Sequence, residues 1–144
     1  MNDIIKKVEE FHRLFSISIS DKPTLLEDSK CLLRHKLMRE ENEEYLEACD
    51  KKDLVEVADA LGDQLYILCG TILSHGLQHI IVDVFNEIHK SNMSKLGEDG
   101  KPLINGININ DPSKPMGKVL KGPGYFRPNI VNIMNNEQVG SNLQ

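Results

Sequence analysis

The chain has 144 residues, 40% hydrophobic and 27% charged, which suits one globular domain with a modest core and excludes a multidomain assembly. Lys plus Arg number 17 against 22 Asp plus Glu, a formal net charge of −5, and aromatic residues make up 5% with no Trp. No nucleic acid partner is expected, because both a sequence-independent grip on phosphates and a base-stacking platform are lacking, so an anionic small molecule must be met by local cations or a metal.

Apolar residues Ile4, Ile5, Val8, Phe11, Leu14 and Phe15 recur three or four apart and predict a first amphipathic helix over residues 2–15. Ser16 to Pro23 reads as a loop, and Thr24 with Glu27 three residues on has the spacing of a capping box for a second helix from Leu25 to Lys51, about 40 Å long. Asp53 with Glu56 predicts a third capped helix that continues through Leu61, Leu65 and Leu68 to a stop at Gly76. Gly62 and Gly70 inside it each cost up to about 1 kcal/mol against Ala, so close helix packing is expected at both. A fourth helix is predicted over Gln78–Met93.

After Lys95 the residues Gly97, Gly100, Gly106, Gly117, Gly122 and Gly124 mix with Pro102, Pro112, Pro115, Pro123 and Pro128, so continuous helix is excluded, and Asn135–Gln144 reads as a frayed end. The expectation is an all-α fold: a four-helix antiparallel bundle over residues 1–95, followed over 96–144 by an irregular Gly/Pro-rich C-terminal tail that covers the site or a subunit interface. Cys31, Cys49 and Cys69 are odd in number and widely spaced, implying neither a disulfide framework nor a Cys-rich metal site. The opening residues do not read as a signal peptide and no stretch is long and apolar enough to span a bilayer, so a cytoplasmic setting with no membrane partner is expected.

Where the acids fall is the informative feature. On the second helix the stripe Leu26, Leu33, Leu37 runs at helical spacing into Glu41, Glu44 and Ala48, which predicts two carboxylates facing inward. On the third, Glu56 and Asp59 lie one turn apart and Asp63 extends the same face. Two such charges about 5 Å apart at an effective dielectric of about 20 repel by roughly 3 kcal/mol. Protonation, pairing with Lys or Arg, or a divalent cation would answer that repulsion, and an all-oxygen set without His or Cys suits magnesium or manganese. The plainer reading is a solvated acidic face, which fits Glu43 and Glu47; Glu47 with Asp50 repeats the acidic spacing where a role in water suffices.

Glu40-Glu41-Asn42-Glu43-Glu44 followed by Glu56-Val57-Ala58-Asp59 resembles the EExxE…ExxD signature of the MazG-like all-α nucleoside triphosphate pyrophosphohydrolases, a superfamily that includes dimeric dUTPases and phosphoribosyl-ATP pyrophosphohydrolase. Phe11-His12, Asp21-Lys22-Pro23, Leu33-Arg34, Ser91-Asn92-Met93-Ser94-Lys95, Asp99-Gly100-Lys101-Pro102 and Gly117-Lys118-Val119-Leu120-Lys121-Gly122-Pro123 extend the likeness to a phosphoribosyl-ATP pyrophosphohydrolase-like subgroup, over about residues 8 to 128. The resemblance implies that Glu41, Glu44, Glu56 and Asp59 ligate magnesium, with manganese as a substitute, that Glu40 orients or deprotonates water, and that Asp63 supports the ligands from outside. It also implies a homodimer or homotetramer. Leu103 to Met116 is an insertion relative to the subgroup.

On the fourth helix Phe85, Ile88, Asn92 and Lys95 share a stripe that turns polar at its end, so Asn92 can bond a sugar or base and Lys95 a phosphate. Asn92 equally suits a helix end, where it bonds free carbonyls. Lys118 and Lys121 form a basic tail segment able to close over a triphosphate, or are ordinary surface lysines. Tyr125 and Phe126 either stack on a base or pin the tail. The activity expected is magnesium-dependent hydrolysis of a (deoxy)nucleoside triphosphate between the α and β phosphates, in nucleotide-pool house-cleaning. The alternatives are hydrolysis of phosphoribosyl-ATP in histidine biosynthesis and a non-enzymatic helical interaction module.

Overall fold

The computed structural model describes residues 1–141. Five helices carry the fold: α1 (Asn2–Leu14), α2 (Asp28–Lys51), α3 (Leu54–Ser74), α4 (Ile81–Met93) and α5 (Ile130–Ser141). Among the described residues the only extended pairings are two isolated bridges, Ile104 with Val119 and Asn105 with Ile109, so the fold is all-α, as expected. The four expected helices are present. The fifth lies in the segment expected to fray: residues 135–141 belong to α5, and 142–144 lie outside the described residues. The chain divides into two compact units, Met1–His79 and Ile80–Gln144, which groups α4 with the Gly/Pro-rich segment.

In Met1–His79, α1 and α2 both pack on α3. The core is small, comprising Ile5 and Val8 from α1, Ala48 from α2, and Ala60, Cys69, Ile72 and Leu73 from α3. Phe11 extends it by stacking beside Phe15 at 4.3 Å and meeting Tyr66 edge-on at 5.6 Å. Lys52, held at φ 56°, and Asp53 alone reverse the chain between α2 and α3, which makes these helices antiparallel neighbours. Asp53 caps α3 as expected, accepting from the N–H groups of Val55 at 3.0 Å and Glu56 at 3.3 Å. At the other end of α3, Gly76 stands at φ 69° and donates to the Leu73 carbonyl while Leu77 donates to that of Ile72, a Schellman closure that needs glycine.

Thr24 does not cap α2. The helix begins four residues later, at Asp28, because the backbone N–H of Thr24 is engaged by the His75 carbonyl at 2.9 Å and its own carbonyl by His75 Nδ1 at 2.8 Å. With Ser20 bonded to the carbonyls of Leu73 and Ser74, loop 16–24 satisfies the free end of α3 instead. Gly70 meets the expectation of close packing: a Cβ there would lie 2.8 Å from both His12 Nε2 and Arg34 Nη2. Gly62 does not, since a Cβ would meet nothing within 4 Å.

In Ile80–Gln144, α4 packs against α5, whose first turn is capped by Asn129; the N–H of Asn129 in turn donates to Glu87 at 2.9 Å. The insertion noted in the sequence is a closed loop. Leu120 donates to the Leu103 carbonyl at 2.7 Å and Asn105 to that of Lys118 at 2.9 Å, drawing its two ends together.

Candidate active site

The tight α2–α3 reversal sets the acids of one helix beside those of the other. A cleft of about 220 Å³ opens between them, lined by Glu44, Glu47 and Lys51 of α2 and Glu56 and Asp59 of α3. Its floor is Ala48 and Ala60, both buried, whose small side chains let the two backbones approach. Three of the four expected ligands therefore share one cavity.

Glu41, the fourth, lies one turn from Glu44 and is half-buried. Its Oε2 is shielded from solvent and has no hydrogen-bond partner. Burial first, and then the charges of Asp63, Glu44, Glu40 and Asp59, push the Glu41 carboxyl above its usual range. Glu40 and Asp63 thus stand within electrostatic reach of Glu41, and of the neighbouring charges Asp63 bears on it most.

Among the described residues no ion pair involves Glu41, Glu44, Glu56, Asp59 or Asp63, so pairing with Lys or Arg is not what relieves this crowding. Protonation and a cation remain. An orphaned carboxylate oxygen amid an all-oxygen donor set fits a hard divalent ion in kind. Among the described residues no three His, Cys, Asp or Glu side chains converge closely enough to hold an ion as they stand, so side-chain rotation must complete any coordination sphere. Glu44, Glu56 and Asp59 are exposed and free to rotate; the expectation that Glu44 faces inward is corrected, because the two helices meet at Ala48 and Ala60 and leave Glu44 on the rim of the cleft beside that seam.

Glu43 pairs with Arg39 at 3.4 Å in solvent, as expected. Glu47 is exposed and pairs with Lys51 at 3.4 Å, yet it also lines the acid cleft rather than standing apart from it. Its position one turn after Glu44 was the available signal. Arg34 was another contact the sequence did not announce. Two turns before Glu41, it donates to Thr71 Oγ1 at 3.0 Å and to the Ile67 carbonyl at 2.7 Å, tying α2 to α3 above the acids. Gln64 adds a bond to the Glu41 carbonyl at 3.2 Å.

The remaining expected residues lie in Ile80–Gln144, and most are gathered at the end of α4. Lys95 Nζ donates to Asn92 Oδ1 at 2.7 Å, and Gly122 N donates to the Lys95 carbonyl at 2.9 Å. The backbone there is so close that a Cβ on Gly122 would strike Leu96 and the Lys95 carbonyl. This clamp brings the following Tyr125 and preceding Lys121 to the same helix end, with the Lys121 ammonium 4.3 Å from the Tyr125 ring centroid. Phe126 pins the tail through its backbone: its carbonyl accepts from Ser91 Oγ at 2.8 Å and its N–H donates to Ser94 Oγ at 3.1 Å. Lys118 stands apart on the closed loop, exposed, and among the described residues no hydrogen bond or ion pair engages its ammonium.

No helix among the described residues is long and apolar enough to cross a membrane. No curated protein matches the chain. Of 24 solved chains that do, a candidate NTP pyrophosphohydrolase from Exiguobacterium sp. 255-15 is 22% identical over 96% of this chain and 97% of its own, with a TM-score of 0.45, too loose an overlap to support an inference. The family model for phosphoribosyl-ATP pyrophosphohydrolase matches residues 8–92, more than half the chain and the whole of the acidic hairpin. The chain therefore belongs to the phosphoribosyl-ATP pyrophosphohydrolase family, within the MazG-like all-α superfamily, and is a pyrophosphohydrolase.

Proposed function

We propose that the protein hydrolyses a (deoxy)nucleoside triphosphate between its α and β phosphates, releasing the monophosphate and pyrophosphate in a magnesium-dependent reaction of nucleotide-pool house-cleaning. The observation that carries this reading is the buried, unpartnered Oε2 of Glu41 beside Glu40, Glu44, Asp59 and Asp63, which no ion pair among the described residues engages. Glu41, Glu44, Glu56 and Asp59 would hold the metal, with manganese able to replace magnesium. Bound there, the ion would offset charge on phosphate oxygens and lower the pKa of a water. Glu40 is the group assigned to orient that water and take its proton, and Asp63 is assigned to support the ligands from outside the metal's own donor set. Asn92 is assigned to the sugar or base and Lys95, Lys118 and Lys121 to the phosphates, with Tyr125 beside them; Lys121 must leave the Tyr125 ring for a base to stack there.

We further propose a homodimer or homotetramer in the cytoplasm. The support is the apolar surface that α2 and α3 leave uncovered, where Leu54 and Val55 are 78% and 76% exposed and Leu46, Leu32 and Leu61 about half or more. A monomer by sedimentation at micromolar concentration overturns that part.

The family match itself favours a second substrate, phosphoribosyl-ATP, and one experiment separates the two. Pyrophosphate release is measured with magnesium on the common ribo- and deoxynucleoside triphosphates, their oxidised and deaminated forms, and phosphoribosyl-ATP. Turnover of one or more nucleoside triphosphates well above phosphoribosyl-ATP is expected. The reverse order replaces the proposal with the second reading, and full activity in excess chelator removes the metal from either.

A further inference from the structure

The insertion 103–116 has no counterpart in the chemistry assigned so far, yet it contains a buried polar side chain whose hydrogen-bonding groups are all engaged. Asn105 is 1% exposed. Its Nδ2 faces three carbonyls, those of Asp111 at 3.0 Å, Lys114 at 2.7 Å and Pro115 at 3.2 Å, while its Oδ1 accepts from the N–H of Asp111 at 2.7 Å. Its backbone is used as fully: the N–H donates to the Lys118 carbonyl at 2.9 Å and the carbonyl accepts from Gly117 N–H at 2.9 Å. One residue thus holds the far limb of the loop, 111–115, through its side chain and the return limb, 117–118, through its main chain.

The residue that this fixing serves is Lys118. Both bonds from the Asn105 backbone land on it or on its neighbour, Gly117 turns at φ 77°, and the N–H of Lys118 itself donates to the Pro115 carbonyl at 3.3 Å. The backbone of an exposed lysine is therefore fixed while its ammonium stays uncommitted. A lysine held this way loses less freedom on meeting a phosphate than one on a loose tail, which is how preorganisation improves affinity. A buried asparagine meeting four partners at once is an expensive arrangement to assemble for a surface loop without a task.

We propose that Asn105 is a positioning residue that clasps loop 103–120 so that Lys118 is presented to the polyphosphate of the substrate. The proposal rests on the reading of Lys118 as a phosphate contact. It assigns the insertion a role in substrate affinity rather than in the hydrolytic step.

The test uses the full chain with magnesium and two readouts: kcat and KM for the best nucleoside triphosphate, and the Kd for inorganic tripolyphosphate by calorimetry, which needs no turnover and no base preference. Lys118→Ala is expected to raise KM and the tripolyphosphate Kd about 10-fold with kcat unchanged, the loss of one charge-assisted phosphate contact. Asn105→Ala should reproduce most of that rise with kcat again unchanged, and the double variant should be no worse than Lys118→Ala alone. Asn105→Asp, which sets a carboxylate against three carbonyls, should behave like Asn105→Ala. If Asn105→Ala fails to fold, Asn108→Ala loosens the same loop from its surface by removing bonds to Ile104 N and the Pro102 carbonyl, and should raise KM in the same direction. Wild-type affinity in folded Asn105 or Asn108 variants overturns the inference while Lys118→Ala still loses affinity. Additive effects in the double variant overturn it too. Unchanged affinity in Lys118→Ala refutes the phosphate role of Lys118 and this inference together, leaving the acidic site standing. A wild-type chain that binds no tripolyphosphate and turns over no triphosphate refutes the proposed function itself.

Discussion

Gly70→Ala tests the packing that holds the acidic hairpin in register. The added methyl would stand 2.8 Å from Arg34 Nη2 and from His12 Nε2. Arg34 could in principle swing aside, but Thr71 Oγ1 and the Ile67 carbonyl hold it, and the His12 ring is 2% exposed with no room to turn. Losing a charged hydrogen bond costs about 1.5–3 kcal/mol and overpacking a tight site about 1–3 kcal/mol, against a gain of about 1 kcal/mol for Ala over Gly in a helix. A net loss of about 1.5–5 kcal/mol follows, or a fall in Tm of roughly 3–20 °C for a chain of this size. Gly62→Ala is the control, because its methyl meets nothing within 4 Å; it should raise Tm by about 2–4 °C through helix propensity. Urea and thermal unfolding followed by far-UV circular dichroism, at one fixed protein concentration, measure both. A Gly70→Ala protein as stable as the wild type would refute the argument that Arg34 and His12 lock α1 and α2 onto α3.

Three further outcomes are expected. Glu41→Gln and Asp59→Asn should each lower pyrophosphate release by at least about 100-fold with helicity unchanged, whereas Glu47→Gln, already tied to Lys51 at the rim, should lose less than about 10-fold; equal losses would place Glu47 among the ligands. Magnesium at about 100 times its Kd should stabilise the fold by ~2.7 kcal/mol, seen as a rise in Tm that chelator reverses and that Glu41→Gln abolishes. Burial, and then the Arg34 charge, lower the His12 pKa, so the unfolded chain binds the proton more readily: the contribution of neutral His12 is complete above pH about 6.5 and is lost as pH falls below it. The Tm of the wild type should accordingly fall more steeply between pH 7 and 5 than that of His12→Gln, and parallel curves would show that the ring is not held neutral.

How much of this was legible in the sequence follows from the range over which each signal acts. The α2–α3 reversal was readable because Asp53 and Glu56 sit in one turn and their bonds are local. Glu41 was readable because its place on the apolar stripe is a matter of helical angle alone, and its buried oxygen is what that stripe asks for. Glu44 continues the same stripe and is exposed, since the helices meet at Ala48 and Ala60 and leave the acids flanking the seam, a consequence of which small residues face each other across two helices. Thr24 failed as a cap for a similar reason: its local bond competes with His75, 51 positions away, and the distant partner wins because it also satisfies the end of α3. The insertion was the least legible. Its glycines and prolines exclude helix correctly, but whether such a segment stays loose or closes depends on one asparagine meeting partners six to ten positions away, and composition does not encode that. What the tail lacks in periodicity it supplies through single side chains and glycines: Asn105 closes its loop, Gly122 lets the backbone press on the end of α4, and Ser91 and Ser94 grip Phe126. Irregular backbone can thus be as well determined as helix, provided its polar groups are satisfied one by one, and the residues that do so are where substitutions in this tail will register.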